Sequence, residues 1–171
     1  TPFTITASVA SNYNGQNISC NGFEDGQATV SVVGGVGPFS YIWIGGNTPG
    51  NQQNYNNLGA GTYTVLVNDL GQGITCVDNV QLAEPPQLTV FSFVYTPPTC
   101  EDLCDGSGTP IVIGGVQPYD FTWSSGETTQ TATQLCNGPN TLEFTDLNGC
   151  AFDTTFNIIP NLLLINLTLQ D

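Results

Sequence analysis

The chain has 171 residues, with no Lys, Arg, His or Met, and 14 carboxylates that give a formal charge of −14. Without histidine or lysine there is no imidazole base, no Ser-His-Asp or Cys-His nucleophile, no Schiff base and no phosphate-binding loop of the GK(S/T) type. Without any cationic side chain there is no electrostatic grip on nucleic acid or on anionic lipid heads.

What remains for catalysis is a carboxylate pair or a calcium site; the composition predicts a protein that is not an enzyme. Only 8% of residues are charged, so Thr, Ser, Asn and Gln must carry the polar surface. Twenty Gly and eleven Pro interrupt the chain too often for long helices. No run of 18 apolar residues is present, so no membrane insertion is expected. The missing initial Met and signal peptide predict a segment of something longer.

In chain order, the first landmark is a turn, Cys20-Asn-Gly-Phe-Glu-Asp-Gly26. Residues 31–43 follow as SVVGGVGPFSYIW, in which Phe39, Tyr41 and Trp43 alternate with Ser40 and Ile42. Tyr63, Val65 and Val67 then alternate with Thr64 and Leu66, ending at Asp69, and Cys76 follows. This period of two predicts strands. Glu84-Pro85-Pro86 reads as a short stiff connector.

The series then starts again. Cys100-Glu-Asp-Leu-Cys-Asp-Gly106 repeats the turn, and IVIGGVQPYDFTW over 111–123 repeats the strand pair, with Phe121 and Trp123 for Tyr41 and Trp43. Asp146 and Cys150 stand for Asp69 and Cys76. The fold expected is all-β: two tandem immunoglobulin-like antiparallel sandwiches over 1–86 and 87–160. Trp43, Trp123, Tyr41, Phe121 and Tyr63 are expected core residues, with the tryptophan strand central. The bland reading of the tryptophans is core filling; the alternative is an exposed platform for sugars. The apolar run 161–171 reads as the start of a further repeat, or as a strand that pairs with a neighbouring molecule.

Six cysteines allow fifteen pairings. Repeat equivalence favours Cys20 with Cys76 and Cys100 with Cys150, leaving Cys104 for Cys136. Free buried thiols are the alternative. Disulfides predict an oxidising, extracellular setting. Glu24, Asp25, Glu101, Asp102 and Asp105 crowd the two Cys-Gly turns. No metal or other cofactor is required, although Asp102 and Asp105 are weak calcium candidates against a solvated acidic turn. Asp69 and Asp146 are expected to brace turns through side-chain hydrogen bonds. With no cation to pair with, carboxylate pKa values are expected near or above their reference range.

Together, Cys-x-Gly-x-x-x-Gly, Gly-Gly-x-x-Pro-(Phe/Tyr)-x-(Tyr/Phe)-x-Trp, Leu-x-x-Gly and Asp-x-x-Gly-x-Cys resemble the SprB-type repeat. The stretch Gly61-Thr-Tyr-Thr-Val-Leu-Val-Asn-Asp69 is also similar to that family's pattern. The second copy departs there: Asn140 replaces the Tyr, and Cys136 enters the turn, where a Cys104–Cys136 bond would brace the altered edge. The resemblance implies a non-catalytic structural or adhesive module of a cell-surface filament or gliding adhesin, exported by type IX secretion. Its partners would be neighbouring repeats, copies of the same protein, or surface glycans. Two alternatives stand beside this: a secreted carbohydrate-binding module, and a subunit that polymerises by donating its terminal strand. Asp153-Thr154-Thr155 resembles a short O-glycosylation signal of such bacteria, making Thr154 a weak candidate. Asn17-Ile-Ser19 and Asn166-Leu-Thr168 fit the N-glycan sequon.

Overall fold

The computed structural model describes residues 2–46, 51–100 and 102–159. The expected strand at 161–171 and the Asn166 sequon lie outside the described residues. Within them every regular element is a strand, and no helix is long and apolar enough to cross a membrane.

The chain divides into two compact units, one of Thr1–Gln87 with Gly114–Gln117, the other of Leu88–Ile113 with the residues from Pro118 onward. The first unit carries β1 (Phe3–Val9), β2 (Gly26–Gly34), β3 (Phe39–Ile44), β4 (Asn54–Leu58), β5 (Gly61–Asp69) and β6 (Ile74–Leu82). The second carries β7 (Thr89–Thr96), β8 (Gly106–Ile113), β9 (Asp120–Trp123), β10 (Ala132–Leu135), β11 (Gly138–Thr145) and β12 (Ala151–Ile158).

In the first unit β1-β2-β4 form one antiparallel sheet and β3-β5-β6 the other. The second unit repeats this as β7-β8-β10 and β9-β11-β12. Each sheet turns one face inward, as alternation requires. On β5, Tyr63, Val65, Val67 and Asp69 are buried. Tyr63, Val65 and Val67 pack with Val30, Trp43, Tyr55, Leu58 and Leu82. On β11, Asn140, Leu142 and Phe144 are buried, and Leu142 and Phe144 pack against Phe121, Trp123, Leu135 and Ile158.

The tryptophan strands are not central. β3 and β9 are each the outer strand of a three-stranded sheet, and β5 and β11 occupy the middle. Trp43 and Trp123 are nevertheless only 2% and 3% exposed, because each points into the core of its own unit. Their indole N–H groups donate to the carbonyls of Gln52 (2.9 Å) and Thr129 (2.8 Å), so burial leaves no unpaired donor. Phe121 and Tyr63 are also buried, and Tyr41 is half-buried against the first core.

Candidate functional site

The side chains that carry chemistry gather at the two ends of each sandwich, where strands turn. At one end of the first unit lies Asp69, fully buried at the end of β5. Five N–H groups converge on its carboxylate: the backbone of Val36 (2.9 Å), Gly37 (3.1 Å), Gly71 (3.0 Å) and Gln72 (3.2 Å), and the Gln72 side chain (2.6 Å). The Gly34-Gly35 pair makes this approach possible. Both have φ near +80° (83° and 81°), and a Cβ on Gly35 would meet Asp69 Oδ2 at 2.7 Å and the Phe39 ring at 2.8 Å. Burial pushes the Asp69 carboxyl up, but the hydrogen bonds from Val36, Gln72 and Gly71 outweigh it and hold it below its ordinary value. In the second unit Asp146 accepts from the backbone of Asn148 and Cys150 (2.9 Å each).

The opposite end holds the Cys-Gly turns. Asp25 accepts from the backbone and the hydroxyl of Ser19, closing the loop before β2. Asp105 accepts from the backbone (2.8 Å) and hydroxyl (2.6 Å) of Thr99 in the same way. These bonds hold the Asp105 carboxyl below its ordinary value. Asp102 is exposed in the adjoining turn. Among the described residues no three His, Cys, Asp or Glu side chains come together as a metal site.

Glu84 caps the first turn from the far end of β6, accepting from Asn21 Nδ2 (2.9 Å) and the Gly22 N–H (2.6 Å). Glu127 braces the turn after β9. Burial pushes its carboxyl up, but donors from Thr133, Ser125 and Gln134 hold it low. The expectation that carboxylates without cations sit near or above their reference range is therefore corrected for Asp69, Asp105 and Glu127. Backbone amides and hydroxyls supply the positive ends that Lys and Arg would otherwise provide. Glu127 gave no signal in the sequence, whereas the Ser19–Asp25 and Thr99–Asp105 spacing recurs in both copies and was open to reading.

A second recurring device is the corner before β5 and β11. Tyr63 donates its hydroxyl to the carbonyl of Gly59, four residues upstream (2.9 Å), the arrangement of a tyrosine corner. Asn140 occupies this place in the second unit, and its Nδ2 donates to the carbonyls of Cys136 (2.9 Å), again four residues upstream, and Gly138 (3.1 Å). The Cys104–Cys136 disulfide ties this corner to the loop before β8, with a Cα–Cα distance of 4.0 Å.

The other expected disulfides need correction. Cys76 and Cys100 are free thiols, so neither Cys20–Cys76 nor Cys100–Cys150 is formed. The reason is distance. Cys76 sits opposite Val67, with its Sγ 3.7 Å from the Phe3 carbonyl where β1 begins. The residues flanking Cys20 bond to the other end of β6: Ala83 to Asn17 Oδ1, and Asn21 to Glu84 and Pro85. Seven or more extended residues at ~3.3 Å each put at least ~23 Å between these places, whereas a disulfide needs Cα atoms within ~7 Å. The second unit repeats the separation. Asn137, just before β11, donates to the Cys100 carbonyl, while Cys150 adjoins Ala151, which pairs with Thr145 at the far end of that strand. Thr154 is half-buried on β12, opposite Leu142.

Comparison with known proteins places these features in a class. The fold is that of immunoglobulin-like all-β proteins: the chain is similar to a solved structure of three N-terminal domains of the Highly Immunogenic Outer Capsid protein (Hoc) of bacteriophage RB49, with a TM-score of 0.54 and 20% identity. The match covers 92% of this chain and 59% of that one, so the chain spans less than two thirds of that structure. More particularly, residues 12–48 match the family model of the SprB repeat. That segment runs from the loop before the first Cys-Gly turn through the Gly-Gly bend and Trp43. No curated protein sequence matches the chain.

Proposed function

We propose that this chain is a repeat segment of an extracellular bacterial surface filament or adhesin, exported by type IX secretion, in which the sandwiches serve as structural or adhesive links and carry out no reaction. The observation that carries the reading is the SprB match over residues 12–48 in a chain whose second half rebuilds the same strand order and the same end-bracing carboxylates. Asp25, Asp69, Asp105 and Glu127 each spend their oxygens on turn donors. This is the work of structural carboxylates rather than of an acid/base pair. The Cys104–Cys136 disulfide supports an oxidising location. The sugar-binding alternative would have to use aromatics other than Trp43 and Trp123, whose rings are buried.

Antibodies raised against the purified chain, applied to unpermeabilised cells that produce it, should decorate surface filaments in electron micrographs. Labelling only after permeabilisation would overturn the reading. Saturable binding of the chain on a glycan array, abolished by replacing one exposed aromatic such as Phe91, would favour the sugar-binding alternative.

A further inference from the structure

The two repeats finish one place in the fold differently. In the first unit the loop before β2 and the loop after β4 run side by side, because Gly26 pairs with Leu58. In the second unit Gly106 pairs with Leu135 in the same way. Counted from those pairs, Glu24 and Gly59 stand where Cys104 and Cys136 stand in the second repeat. The second repeat closes this place with its disulfide. The first leaves it open, as a cavity of about 260 Å³ whose lining includes Glu24, Asn57, Gly59, Ala60, Thr62 and Tyr63.

The backbone does not force the opening. Gly59 lies outside the left-handed region, and a Cβ built on it would meet ordinary contacts, Glu24 Cγ at 3.6 Å and the Phe23 carbonyl at 3.8 Å. A side chain fits there, as Cys136 demonstrates in the other repeat; glycine keeps the space clear. The groups around that space are polar. Burial, then Tyr55 and the Glu24 charge, push the Tyr63 phenol up, which sets the Glu24 carboxylate beside that ring. Asn57 is the extra residue where the β2–β4 register shifts, with φ 59°, and it is exposed. Such bulges re-aim side chains and recur beside binding sites. Thr62, also exposed, adds a hydroxyl. An acidic ligand is repelled by Glu24 and by a chain of formal charge −14. A small ligand bearing several hydroxyls matches a carboxylate that accepts, an amide that does both and a hydroxyl that does both. The volume falls just below the range of drug-sized sites, roughly 300–1,000 Å³, and suits one sugar ring.

We propose that the cleft between Glu24 and Gly59 binds a single sugar residue, neutral or amino-substituted, and that the disulfide of the second repeat closes the equivalent cleft there. Glu24 accepts from the sugar hydroxyls or amine, Asn57 and Thr62 orient the ring, and Gly59 leaves room for it. The repeat thus exists in an open, ligand-binding form and a stapled form built on the same strands. This goes beyond the surface-repeat reading and is tested apart from it: labelling of cell-surface filaments reports where the chain is, and sugar binding reports what the cleft does.

The test is saturation-transfer NMR on the full chain with the methyl glycosides of glucose, galactose, mannose and fucose, together with N-acetylglucosamine, glucosamine and glucuronic acid. Transfer to at least one neutral or amino sugar, and none to glucuronic acid, is the expected result. Glu24→Gln keeps the shape of the cleft and should weaken that binding roughly tenfold, since it removes the charge from one hydrogen-bonding partner. Glu24→Cys combined with Gly59→Cys transplants the staple of the second repeat. Once oxidised it should abolish binding while the melting temperature holds or rises, which separates a closed cleft from a lost fold. Gly59→Leu, with folding checked by circular dichroism, fills the cleft if that bond does not form. Absence of transfer to every sugar tried, equal transfer to glucuronic acid, or binding that survives the staple or the leucine would overturn the proposal.

Discussion

At Asp69 a carboxylate does what a cation would do in another protein: it organises the chain around a charge. Four backbone amides and one side-chain amide converge on its two oxygens. The glycine that lets the loop approach is as necessary as the acid. Gly35→Ala should destabilise the first unit by roughly 2 kcal/mol or more, since a left-handed φ and a sub-van-der-Waals contact add. Urea denaturation monitored by Trp fluorescence reads this loss, and an unchanged midpoint would refute it. The carboxyls of Asp69, Asp105 and Glu127 are lowered in the folded state. Their stabilisation is fully present above the pKa that each has in the unfolded chain and is lost as pH falls through the lower folded value. The melting temperature should therefore hold from pH 7 to about 5 and fall progressively below the ordinary carboxylate range. Asp69→Asn should lower stability at neutral pH and flatten part of that acid dependence. A melting temperature that rises on acidification would contradict the assignment.

At the scale of single elements, two copies solve the same corner with different chemistry. Tyr63 buries a ring and reaches back with a hydroxyl, whereas Asn140 reaches the carbonyl at the same spacing with a shorter amide. Tyr63→Phe should cost about 1 kcal/mol, the usual net worth of one hydrogen bond. Cys104→Ser with Cys136→Ser opens a closure spanning 32 residues. It should cost about 3–4 kcal/mol by the chain-entropy estimate, with the loss confined to the second unit in calorimetry. Strands such as β5 were legible because Tyr63, Val65 and Val67 keep a strict period of two. The place of β3 was not, since an aromatic-rich strand announces a buried face but not how many neighbours it has. The disulfide partners were illegible for a related reason. Repeat equivalence relates Cys20 to Cys100 and Cys76 to Cys150, but says nothing about which end of a sandwich each occupies, and that is what decides bonding distance.

For the molecule as a whole, charge of one sign governs behaviour in solution. With 14 carboxylates and no Lys, Arg or His, repulsion between molecules rests on ionised acids alone. The surface beneath that charge is not uniformly polar: Val33, Val36, Phe91 and Val94 are among the exposed apolar side chains. As the pH approaches 4 most carboxylates take up protons, and nothing of opposite sign remains to keep copies apart. The three lowered acids release their charge last, so loss of solubility should begin near pH 4 and complete below it rather than in one step. At neutral pH, added salt should screen the repulsion and raise self-association, since the Debye length contracts to roughly 3 Å at 1 M. Static light scattering across pH 7 to 3 at low ionic strength, repeated with salt, measures both effects. A clear and monodisperse solution at pH 4, with a second virial coefficient indifferent to salt at pH 7, would show that the Thr-, Ser- and Asn-rich surface keeps the molecules apart without its charge.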